Sequence, residues 1–107
     1  MNSIGYVWEK LFVAVDALTG AAPLRTRLHH AVMSFHTLVP DDFPTPDLVQ
    51  RFSALMDGFR RTPARGDEGG FRASVDAMTD EEARATAHEI FSLFAAIAEH
   101  HRPLTRN

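Results

Sequence analysis

Cysteine is missing from all 107 residues. Disulfides, zinc–thiolate centres and cysteine nucleophiles are therefore excluded, and the composition suits a reducing compartment. Lysine is nearly missing too: of eleven basic residues only Lys10 is not arginine. That bias points to a GC-rich genome, hence a bacterium or its phage. No apolar run approaches the ~18 uncharged residues of a membrane span. The N-terminal stretch MNSIGYVWEKLFVAV has no basic leader and carries Glu9 and Lys10 inside its apolar part, unlike a secretion signal. A cytoplasmic location is expected. Charge of one sign is also lacking, since 14 acids against 11 bases give −3. Nothing in that balance draws the chain toward nucleic acid or anionic lipid.

Strand signals are lacking as well, because nowhere do apolar and polar residues alternate over several positions. There is no internal repeat and no low-complexity segment. Three- and four-residue spacing dominates instead, and a chain of this length forms one domain with a core of its own. The expectation is an all-α bundle of four main helices plus one short helix, over about 3–18, 23–38, 46–61, 71–78 and 80–101, in a single helical domain, 1–107.

Each helix carries recognisable punctuation. The first presents Ile4, Val7, Trp8, Leu11, Phe12, Val15 and Leu18 on one face. Asn2 or Ser3 can cap its start, and Gly20 is expected as a left-handed C-terminal cap. Pro23 fits the first position of the second helix, whose inward face is Leu24, Leu28, Val32, Phe35 and Leu38 or Val39. VPDDFPTP ends that helix, because three prolines within seven residues cannot continue it. Thr45 and Pro46 open the third, with Leu48, Phe52, Leu55, Met56 and Phe59 as its stripe and Arg60 and Arg61 at its carboxyl end. Phe71, Val75 and Met78 mark the short helix. Thr79 with Glu82 three residues on forms the capping box that opens the last one.

The stretch GDEGG (66–70) raises the question of a phosphate or calcium loop. A phosphate loop needs a lysine and no competing carboxylates. A calcium loop needs oxygen ligands at alternate positions, where this chain has Phe71, Ala73 and Val75. The stretch reads as a connector leading into a capped helix.

Six histidines, His29, His30, His36, His88, His100 and His101, raise a metal hypothesis. Ligand pairs on a helix stand three or four residues apart with further ligands converging. None of these pairs does so, and neighbours such as His100 and His101 diverge by about 100°. No metal and no cofactor is expected. Arg60, Arg61 and Arg65 form a local basic cluster able to contact an anion or an acidic partner; Arg25, Arg27, His29 and His30 form a second.

Two segments are apolar nearly all round. IFSLFAAIA (90–98) has only Ser92 as a polar residue, and LFVAVDAL (11–18) only Asp16. Such helices are covered on several sides. Either they form the centre of the bundle or Val13, Ala17, Leu93 and Ala96 face a partner, which could be a second copy of the chain.

WEKL near the start, DDFP in mid-chain and GDEGG…MTDEEA before the last helix together resemble a pattern found in small, uncharacterised all-helical bacterial proteins. The resemblance spans most of the chain. It implies the helical fold and carries no activity, ligand or site residue with it.

The functional expectation is a non-enzymatic protein-interaction module: a small accessory or inhibitory subunit of a bacterial or phage system, with defence or counter-defence as one setting by analogy, and with a homodimer as one form. One alternative is a nucleic-acid-binding accessory protein using Arg60, Arg61 and Arg65. Another is a metal-dependent enzyme using histidines and glutamates such as His88 and Glu89, although adjacent helix residues make a poor acid–base couple.

Overall fold

The computed structural model describes residues 2–63 and 69–101. Five α-helices follow one another: α1 (Ile4–Leu18), α2 (Leu24–Phe35), α3 (Pro46–Phe59), α4 (Gly70–Asp76) and α5 (Asp80–His100), with a 3-10 turn at Pro40–Asp42 between α2 and α3. No strand occurs among the described residues. The all-helical class read from residue spacing is the one that forms.

Capping explains most boundaries. The Ser3 hydroxyl accepts from the Tyr6 N–H, the Thr45 hydroxyl from Leu48, and the Thr79 hydroxyl from Glu82, whose carboxylate accepts from the Thr79 N–H in return. That N–H foremost, and then Arg61, hold the Glu82 carboxyl below its ordinary range.

Several boundaries depart from expectation. Gly20 is not left-handed. Thr19 ends α1 in a right-handed conformation, its hydroxyl donating to the Asp16 carbonyl at 2.7 Å. Arg27 reaches across from α2 and donates to the Leu18 and Ala22 carbonyls, each at 2.6 Å. The Asp16 and Ala17 carbonyls that a left-handed cap would have served accept instead from the Thr19 and Gly20 N–H groups, and Arg27 takes the Leu18 carbonyl beyond them. Pro23 is the N-cap of α2, and Leu24 its first helical residue. That helix stops at Phe35, short of 38, because Val39 precedes Pro40 and is driven into extended geometry (φ −122°). Helix α3 stops at Phe59, with Arg60 as its C-cap. Helix α4 stops at Asp76, because Thr79 must be extended to cap α5.

Helices α1 and α2 form an antiparallel hairpin, with Arg27 against Leu18 at one end and the Ser34 hydroxyl bonded to the Lys10 carbonyl at the other. Helix α5 runs back along α1: Phe12 meets Phe94, and further along Trp8 meets His101. It also packs on α2 and α3, just as α2 packs on α1, α4 and α5, while α1 lies at the edge of the bundle against α2 and α5. Helix α4 bridges α2 and α3, fixed where the Thr62 N–H donates to the buried Ser74 hydroxyl at 2.9 Å.

The inward stripe of α3 is buried in full: Leu48, Phe52, Leu55, Met56 and Phe59. Leu38, not Val39, supplies the apolar contact after α2. Phe52 stacks on Phe43 with ring centres 4.5 Å apart and meets Phe35 edge-on at 6.3 Å, and Phe35 meets Phe59 edge-on at 6.2 Å. These are the geometries the ring quadrupole favours, and each buried ring contributes about 1.5–3 kcal/mol. Asp42 closes this region. Only 5% exposed, its carboxylate accepts from the backbone N–H of Asn2 at 2.6 Å, the Asn2 amide at 3.2 Å and the Val39 N–H at 2.9 Å. The start of the chain is thereby tied to the turn before α3.

Candidate interaction surface

Helices α1 and α5 cross with an aromatic strip between them. Trp8 stacks on Phe12, one turn along α1, at 5.3 Å; Phe94 of α5 lies 5.8 Å from Trp8 and 6.1 Å from Phe12; and His101 closes the end of the strip at 5.3 Å from Trp8. Gly5 makes that end possible, because a Cβ there would stand only 3.2 Å from His101 Cε1. Phe91 precedes Phe94 by three residues and so shares its flank of α5. Trp8 and Phe94 are half-buried, whereas Phe12 is 48% and Phe91 51% exposed. The strip ends in two open rings.

The four residues singled out as partner-facing occupy unlike positions. Val13 is 47% exposed on the outer side of α1. Ala17 and Ala96 are half-buried. Leu93 is fully buried in the chain's own core, between Ile90 and Ile97 on the inward face of α5. Phe12, assigned to the inward face by spacing, instead opens to solvent together with Phe91. The signal was present in the neighbours. Phe12 shares its flank with Glu9 and Asp16, three residues before and four after, and Phe91 shares its flank with His88 and Ala95. Polar residues at those steps mark a side that faces water.

Two members of the basic cluster, Arg60 and Arg61, lie among the described residues. Arg61 stands 3.6 Å from the Glu82 carboxylate, Arg60 is exposed at the end of α3, and Arg65 lies outside the described residues. In the second group, Arg25 donates to the Met78 carbonyl at 2.6 Å and pairs with Asp80 at 2.9 Å, while Arg27 serves the end of α1. His29 stands beside His30, with ring centres 6.3 Å apart. Burial first, then Arg72 and His30, hold its pKa below the ordinary value against the opposing pull of Asp76. His36 lies against the Phe71 ring. His88 is exposed, and its neighbour Glu89 turns away to pair with Arg51 at 3.0 Å. Among the described residues no group of three or more His, Asp or Glu side chains is placed to hold a metal ion.

Besides a depression of about 210 Å³ over Leu38, Phe52, Ser53 and Asp57, two larger ones mark the surface. One of about 350 Å³ lies between Phe59, Arg60, Thr62, Pro63 and Phe71. The other, about 300 Å³, runs between α3 and α5 over Ala54, Gly58, Ala85 and the Arg51–Glu89 pair. Neither gathers a nucleophile beside a base, so the aromatic strip is the feature whose exposure calls for a function. No family model, no curated protein and no solved structure matches this chain.

Proposed function

We propose that this chain is a non-enzymatic protein-interaction module that binds through the α1–α5 aromatic strip. One observation carries the reading: Phe12, about half open to solvent, extends a ring cluster whose other members, Trp8 and Phe94, are already partly covered, and the equally open Phe91 stands one turn from Phe94. Aromatic rings are the side chains on which binding energy concentrates, and they act best where neighbouring groups already exclude water from one side. In this reading the chain serves as an accessory or inhibitory subunit of a bacterial or phage system. The small size and the arginine-biased composition support that assignment.

Affinity capture with the parent chain and with a Phe12→Ser/Phe91→Ser variant, read side by side, tests the reading. Because both rings are half exposed, the variant keeps its helical circular dichroism. The expected result is a protein, the chain itself or another, held by the parent and lost from the variant. Identical captures from the two baits would overturn the assignment of the strip.

A further inference from the structure

We draw no further inference here: the strongest candidate, the half-open aromatic groove between α1 and α5 that ends in Phe12 and Phe91, carries exposed residues of both charge signs along its α5 border, and nothing in the structure shows what covers it.

Discussion

Two groups of aromatic rings stand at opposite sides of this bundle, and the chain treats them differently. Phe35, Phe43, Phe52 and Phe59 are sealed, in stacked and edge-on contacts, between α2, α3 and the turn that Asp42 holds closed. Trp8, Phe12 and Phe94 make similar contacts between α1 and α5, yet Phe12 is about half open, as is Phe91 one turn from Phe94. Ring chemistry does not separate the groups; coverage does. On the sealed side the chain passes over the cluster again, with the 3-10 turn and Phe43 as a lid from one side and α4 from the other. On the open side α1 is an edge helix, and no described segment crosses the groove it forms with α5. Burial of an aromatic therefore depends on how many elements the topology brings past it. A cluster left with two walls keeps part of its apolar surface open to water.

The largest effect expected from breaking the sealed group is that of Phe52→Ala. Removing a ring 1% exposed leaves a cavity between Phe35 and Phe43 and costs about 3–5 kcal/mol, measured by urea denaturation. A loss below ~1 kcal/mol would mean that the cluster is no better sealed than the strip.

Next comes Asp42→Ala, which opens the lid without touching a ring. Its loss leaves the Asn2 and Val39 N–H groups without their acceptor and costs about 1–3 kcal/mol. The carboxyl also gives this side a pH signature. Burial alone would raise its pKa, but the Asn2 and Val39 N–H groups, the Asn2 side chain and the positive chain end together hold it below the ordinary 3.8. A carboxyl lowered in the folded state contributes stability that is complete above its unfolded value and is lost as pH falls through the folded one. Parent and Asp42→Ala chains should therefore converge in stability as pH drops below 3.8, while the gap stays constant at neutral pH. A gap that persists unchanged under strong acid would contradict the lid assignment.

Thr79→Ala touches neither group of rings directly, because it uncaps α5, which packs against α1, α2 and α3. About 1 kcal/mol is expected from the lost hydroxyl acceptor, read as a lowered thermal midpoint with no change in any strip-dependent binding. Smallest of all is Phe91→Ser, examined at concentrations where the chain is monomeric: a change within about 0.5 kcal/mol of the parent. A cost several times larger would show the open ring to be part of the core after all, and the comparison would fail.

Much of the fold is legible in residue order because its causes are local. Thr45–Pro46 and the Thr79–Glu82 box mark helix starts through hydrogen bonds spanning three residues, and the α3 stripe is buried at every position its spacing indicates. Where boundaries differ, a distant or neighbouring group intervened. Arg27 takes the last carbonyl of α1, at Leu18, from α2, and Pro40 unwinds the end of α2 through Val39. The binding surface was less legible. Apolar circumference drew attention to the two helices that carry the open rings but to Leu93, which lies in the core, ahead of Phe12 and Phe91, which do not. A helix wheel gives the angle between side chains and not which neighbour will cover them.

What residue order determined by itself is a set of capped, amphipathic rods without thiol chemistry, because capping and periodicity act over one turn or two. Tertiary structure alone decided that α2 and α5 each packed on three helices while α1 lay at the edge, that Asp42 reached back to Asn2, and that one ring cluster was closed while the other stayed open. Those outcomes depend on contacts between residues forty or more positions apart, and no local pattern encodes which surface the chain will pass over twice.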